Sequence, residues 1–106
     1  MFTYLAVETP TSELLAAAHA IVHEGPSTTI VLPVEAADRA GQPIVVRLAW
    51  LTLTVQSSLE AVGLTAAVSA RLTEHDISCN VIAGYHHDHL LVPVDRADDA
   101  IDVLSS

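Results

Sequence analysis

The sequence predicts a small α+β protein. Its 106 residues are the number that one hydrophobic core commonly serves. Short β-branched and aliphatic runs alternate with segments whose apolar residues recur at helical spacing, which indicates strands alternating with amphipathic helices. From Trp50 onward the predicted order is strand, helix, strand, strand, helix, and the two consecutive strands are close enough in sequence to form a hairpin.

The N-terminal part predicts two strands and one long helix. Residues 1–7 favour a strand, and a helix then begins at Thr11 or Ser12, either of which can cap its free amides. The apolar residues of this helix recur at helical spacing: Leu14, Ala18, Ile21 and Val22. Gly25-Pro26 ends the helix, the β-branched residues 28–32 form a strand, and residues 35–40 form at most a short helical turn.

The C-terminal part gives stronger signals. Residues 44–55 predict a strand, and Ser57 or Ser58 caps a helix that ends at Asp76. The stripe of that helix consists of Leu64, Ala67, Val68 and Leu72. Two strands, 77–85 and 88–94, are joined by a polar turn at His86-His87. Asp95 is expected to cap the last helix, whose predicted buried face consists of Ala97, Ala100, Ile101 and Leu104.

The sequence also contains a weak internal repeat, with one copy in the N-terminal part and one in the C-terminal part. Residues 30–38 resemble residues 90–98 in kind and order: strand, proline, acidic residue, helix. This predicts two related halves, 1–43 and 44–106, packed as one compact unit, the first half being a shortened β-α-β version that lacks one hairpin strand. A chance match of two short strand-to-helix junctions is the alternative.

Composition excludes several classes of partner. The chain has thirteen acidic residues and only four basic ones, all arginine, so its net charge is −9. This charge disfavours binding to nucleic acid and to anionic membrane surfaces. No uncharged stretch approaches the roughly 18 residues of a membrane-spanning helix, and the first basic residue is Arg39, too late for a signal peptide. The single thiol, Cys79, fits a reducing compartment and is expected to be buried and structural. We therefore expect a cytoplasmic protein.

Two segments resemble a known family. Residues 53–67 (LTVQSSLEAVGLTAA) and 79–89 (CNVIAGYHHDH) are similar to the stand-alone ACT-domain family of small bacterial proteins. The resemblance covers about residues 50–104 and is weaker over about 28–41, where it suggests a degenerate first ACT-like half. It implies a ferredoxin-like βαββαβ sandwich, an antiparallel sheet with helices on one face. No strand follows the last helix, so the fourth strand must come from the N-terminal half or from a partner.

The resemblance also implies a function. ACT domains bind amino acids or similar small ligands and regulate rather than catalyse, and they pair through their sheets or helices. We therefore expect a small-molecule sensor without a catalytic residue or cofactor. We also expect a homodimer, because 51% of the residues are hydrophobic and an open edge strand tends to be covered.

The expected ligand site is the loop between the first strand and first helix of the ACT-like part. ACT domains carry a glycine there, and Gly63 would let the backbone approach a ligand while free amides at the helix start attract a carboxylate. Asn80, one strand over, offers a donor and an acceptor. Alternatively, Gly63 relieves crowding and Asn80 fills a strand-end hydrogen bond. The full expected set is Ser57, Ser58, Glu60, Ala61, Val62, Gly63, Leu64, Asn80, Val81 and Ile82.

A histidine-rich turn favours different chemistry. Imidazole and carboxylate are common ligands for zinc, and the chain contains the run His86, His87, Asp88 and His89. In a hairpin, His87 and His89 would share a face while Asp88 turns away, so His19, His23 or another subunit would have to complete a site. A metal-binding protein or small metal-dependent enzyme is therefore one alternative function.

Other polar residues have simpler interpretations. His19 and His23 are expected to share a solvated face of the first predicted helix, next to Glu24. Ser57 and Ser58 could be combined with Glu60 and His75 as a hydrolase set, but no nucleophile elbow surrounds either serine and helix capping explains both. A second alternative function is a structural regulatory subunit with a vestigial pocket.

Overall fold

A computed structural model describes residues 1–54 and 62–105 and divides the chain into two compact units, Met1–Arg47 and Leu48–Ser106. Four of the expected ligand-binding residues, Ser57, Ser58, Glu60 and Ala61, lie outside the described residues. Within the described residues, each unit has the order strand, helix, strand, strand, helix. The prediction of an α+β protein is therefore confirmed.

The first unit is a three-stranded antiparallel sheet with two short helices. Its elements are β1 (Phe2–Val7), α1 (Ser12–Ala17), β2 (Ala20–His23), β3 (Thr28–Pro33) and α2 (Val34–Arg39). The strand order is β2-β3-β1. Both helices lie on one face of the sheet, because residues of α1, α2, β1 and β3 share one core: Leu5, Leu14, Ile30, Leu32, Ala36 and Ala37.

The predicted long helix of the first unit is wrong in its second half. The helix ends at Ala17, and Ala18 already has extended backbone angles, φ −67° and ψ 135°. Ile21 pairs with Ile30 and Val22 pairs with Thr29, so both residues belong to β2. Their helical spacing is overridden because β-branched side chains favour a strand and a partner strand is available. The first half is therefore not shortened, since β2 is the hairpin strand that it was expected to lack.

The second unit repeats this arrangement. Its elements are β4 (Leu48–Thr52), α3 (Leu64–Glu74), β5 (Asn80–Ala83), β6 (Asp88–Pro93), a 3₁₀ turn (Val94–Arg96) and α4 (Ala97–Ser105). The strand order is β4-β6-β5, which confirms the predicted hairpin of β5 and β6. The longest described helix, α3, has 11 residues, and no helix in the described ranges is long and apolar enough to cross a membrane.

The core of the second unit lies between its sheet and both of its helices. Seven buried residues form it: Val68, Leu72, Ile77, Leu90, Val92, Ala100 and Val103. Two predictions for the last helix are wrong. Asp95 lies inside the 3₁₀ turn rather than at a cap, and Ile101 is 48% exposed while Val103 is buried. Ala100 is buried as predicted, and Ala97 and Leu104 pack against the same core, so the predicted face is correct except at Ile101.

The two units share their strand register. Phe2 pairs with Pro33 in the first unit, and Leu48 pairs with Pro93 in the second. The hairpins match as well, because Ala20 pairs with Val31 and Asn80 pairs with Leu91. This common register is the arrangement expected of two related halves.

Candidate ligand-binding site

Gly63 immediately precedes α3. Its backbone has φ 101° and ψ −21°, a left-handed conformation that favours glycine. Its carbonyl accepts a hydrogen bond from the Ala67 amide at 2.9 Å, and no described atom lies within 4 Å of the position that a Cβ would occupy. The expectation that Gly63 relieves crowding is therefore not supported, because backbone conformation is what requires the glycine.

The corresponding helix start in the first unit is closed. The hydroxyl oxygen of Thr11 accepts a hydrogen bond from the Leu14 amide at 3.2 Å, which satisfies one of the free amides of α1. Residues 8–11 alone connect β1 to α1, whereas residues 53–63 connect β4 to α3. The second unit therefore combines a long connection with an N-cap residue, Gly63, that has no side chain to cap the helix.

A cleft of about 270 Å³ lies where β4 ends, against the last turn of α4. Its described lining consists of aliphatic and hydroxyl side chains: Leu51, Thr52, Leu53, Thr54, Ile101, Leu104 and Ser105. None of these residues is charged. This cleft was not predicted from the sequence, whose helical spacing placed Ile101 on the buried face of the last helix rather than at a cleft.

The cleft and the start of α3 share one supporting core. Leu53 and Leu104, which line the cleft, pack against the buried cluster of the second unit, and Leu64, the first residue of α3, packs against the same cluster. The connection from β4 to α3 leaves the cleft at Thr54 and reaches the helix at Gly63. The predicted loop, residues 57–64, therefore belongs to the chain segment between the cleft and α3.

The structure separates the other predicted residues from this region. Asn80, Val81 and Ile82 belong to β5, which is divided from β4 by β6. Val81 packs against the core, so its neighbours Asn80 and Ile82 point to the sheet face opposite the helices. Asn80 is exposed and lies across from Leu91. Val62, Gly63 and Leu64 come together at the helix start, and Asn80 does not join them.

The histidine run is a tight turn followed by a strand. The Gly84 amide donates a hydrogen bond to the His87 carbonyl at 2.9 Å, and the rings of Tyr85 and His86 meet edge to face at 4.9 Å. His89 lies in β6, with Nδ1 2.9 Å from the hydroxyl oxygen of Thr52. Across residues 1–54 and 62–105, no three histidine, cysteine, aspartate or glutamate side chains form a group suited to a metal ion.

Two other sequence expectations change. His19 and His23 do not share a helix face, because α1 ends before them; His19 lies just before β2, and His23 ends that strand. The His19 ring instead meets Phe2 at 4.8 Å, and its amide donates to the Val31 carbonyl at 2.7 Å. Cys79 is partly rather than fully buried, and it packs against the core of the second unit.

The described lining of the cleft contains no acidic or basic side chain. Burial raises the pKa of the Tyr4 phenol, which lies in β1 of the first unit and is not among the described lining residues. The described lining of the cleft offers hydroxyl groups and aliphatic surface instead. Such a lining binds by shape and hydrogen bonding.

Comparison with known proteins agrees with this architecture. The profile of the ACT-domain family matches residues 45–106. A Vibrio cholerae protein of unknown function, described as a possible transport protein, has a crystal structure that is similar to this one with a TM-score of 0.91. The two sequences are 43% identical, and the match covers 97% of this chain and 79% of that chain. An Agrobacterium tumefaciens protein, 20% identical with a TM-score of 0.66, covers 98% and 78% and shares the fold. No curated protein gave a significant match. The family profile spans more than half of the sequence, and the chain therefore belongs to the ACT-domain family.

Proposed function

We propose that this protein is a non-catalytic regulatory module that binds an amino acid or a related small metabolite in its second unit. The observation that carries the proposal is the cleft between the end of β4 and the last turn of α4, within the part of the chain that matches the ACT-domain profile. Ligand pockets commonly measure about 300 to 1,000 Å³. A cleft of about 270 Å³ is slightly smaller than that range, which suits a metabolite as small as an amino acid.

The start of α3 and the end of α4 have opposite polarity. The start of α3 at Gly63 presents backbone amides, which favour a carboxylate, and the end of α4 at Ser105 presents backbone carbonyls, which favour an ammonium group. A free α-amino acid carries both groups. In this proposal residues 57–64, with Ser57, Ser58 and Glu60, surround the ligand, whereas Asn80 and Ile82 face the other side of the sheet.

The absence of catalysis is part of the proposal. ACT-domain membership supports it, because such domains are generally regulatory. The described lining of the cleft supports it further, since it supplies hydroxyl groups but no acid, base or thiol to activate them. The same lining would also fit a regulatory subunit with a vestigial pocket. Only ligand binding distinguishes that alternative from a sensor.

We also propose that the protein is a cytoplasmic homodimer. Ile21 and Val22 of β2 are 42% and 51% exposed, and β2 is an outer strand in the β2-β3-β1 order of the first unit. Exposed apolar residues on an outer strand favour coverage by another chain. A second copy is the partner that this chain always has available.

A thermal-shift screen of the purified chain against the common amino acids and the nucleobases tests the proposal. A ligand at about 100 times its dissociation constant stabilises the folded state by about 2.7 kcal/mol, which is several degrees in Tm for a domain of this size. We expect at least one amino acid to give such a shift. If no compound shifts the Tm at millimolar concentration, the sensor function is wrong and the vestigial-pocket alternative is favoured.

A further inference from the structure

We infer that the cleft receives an aliphatic side chain, so that the protein selects aliphatic amino acids over acidic ones. This inference rests on the proposed function and specifies its ligand. It starts from the position of Ile101, which is 48% exposed on α4 although it lies in the middle of an otherwise amphipathic helix. An apolar side chain at the rim of a cleft gains from contact with an apolar ligand.

The floor of the cleft is apolar as well. Leu51, Leu53 and Leu104 line it while packing against the buried core, so their positions are fixed from behind. The Thr52 hydroxyl is already engaged by Nδ1 of His89 at 2.9 Å. The hydroxyl groups that we assign to the ligand are therefore those of Thr54 and Ser105, at the rim. This arrangement suits a ligand with one apolar part and one polar end.

Electrostatics disfavours an acidic side chain in the cleft. Among the described lining residues there is no lysine or arginine to balance a second carboxylate. Arg96, in the same unit, is committed elsewhere: it donates to Asp99 and to the backbone carbonyls of His75 and Asp76. The carbonyl end of α4 and the net charge of −9 add to the unfavourable potential for an anion.

The test is calorimetric titration of the full chain with leucine, isoleucine and valine, compared with aspartate and glutamate. Leucine and aspartate are the most informative pair, because their side chains are similar in shape but one is apolar and the other is negatively charged. We expect leucine to bind at least tenfold more tightly than aspartate. Ile101→Asp should weaken leucine binding at least tenfold, and because Ile101 is half exposed the variant should keep its ligand-free Tm.

Val94→Asp is the matched control. Val94 is 39% exposed in the same unit, just before the start of α4 and outside the described lining of the cleft. Leucine affinity that falls in Ile101→Asp but not in Val94→Asp supports the inference. Equal affinity for aspartate, or leucine binding unchanged by Ile101→Asp, overturns the inference and leaves the sensor function intact. If none of the five amino acids binds but another compound does, the inference alone fails; if nothing binds, both fail.

Discussion

The hydroxyl oxygen of Thr11 caps the amide of Leu14 at 3.2 Å, whereas Gly63, at the equivalent point of the second unit, has no side chain with which to cap α3. Otherwise the two units share element order and strand register. Of the two similar helix starts, one is therefore capped by its N-cap side chain and the other has an N-cap residue without a side chain. This difference is why the ligand site is proposed in the second unit.

Removing the Thr11 cap should affect stability alone. Thr11→Ala leaves an amide of α1 without its partner, and loss of such a cap commonly costs about 1 kcal/mol of unfolding free energy. Urea unfolding measures the loss, and Thr11→Ser, which keeps the hydroxyl, should recover most of it. If Thr11→Ala abolished a ligand-induced Tm shift, the assignment of the site to the second unit would be wrong.

Gly84 should tolerate no side chain. A Cβ at this position would lie 2.8 Å from the His87 carbonyl oxygen and 3.1 Å from Nε2 of His89, and the first of these atoms is backbone that cannot move freely. Gly84→Ala should therefore strain the β5–β6 turn and lower the unfolding free energy by about 1 to 3 kcal/mol. Tyr85→Ala is the control, because Tyr85 is 77% exposed and its removal should change stability little. Equal stability of both variants in urea would contradict the described turn.

Arg96 should stabilise the folded state mainly through its hydrogen bonds to backbone carbonyls. Its guanidinium donates to the His75 carbonyl at 3.1 Å and to the Asp76 carbonyl at 3.3 Å, where Asp76 adopts a left-handed φ of 56°. The exposed ion pair with Asp99 contributes little. Arg96→Ala should cost about 1 kcal/mol of unfolding free energy, and Asp99→Ala should cost less. The reverse order in urea unfolding would show that the ion pair dominates.

Light scattering tests the proposed dimer. The measured mass should be about twice the monomer mass of 11.2 kDa. The double variant Ile21→Lys, Val22→Lys places charge on β2 and should shift the measured mass toward that of the monomer. Lysine at Leu15, which is 40% exposed on α1, is the control and should leave the mass unchanged. A monomer mass for the unmodified chain over a wide concentration range would rule out the dimer.

Most of the strands could be predicted from sequence because their signal is local. Runs such as 28–32 and 88–94 are β-branched or aliphatic and bounded by turn residues, and both form strands. The helix prediction was wrong at Ile21 and Val22, because the spacing of apolar residues carries no information about a strand with which they could pair. The cleft could not be predicted either. It forms where residues distant in the sequence, such as Leu53 and Leu104, pack against one core.

Ligand binding at the start of α3 is the central claim, and paired glycine variants test it most directly. Gly63 and Gly41 both have left-handed backbones, φ 101° and 73°, and neither has a described atom within 4 Å of the position that a Cβ would occupy, so valine should strain each of them similarly. Ligand-induced Tm shifts should be measured for both variants with the amino acid that the screen identifies. We predict that the shift disappears in Gly63→Val and persists in Gly41→Val. A full shift in Gly63→Val would contradict the claim.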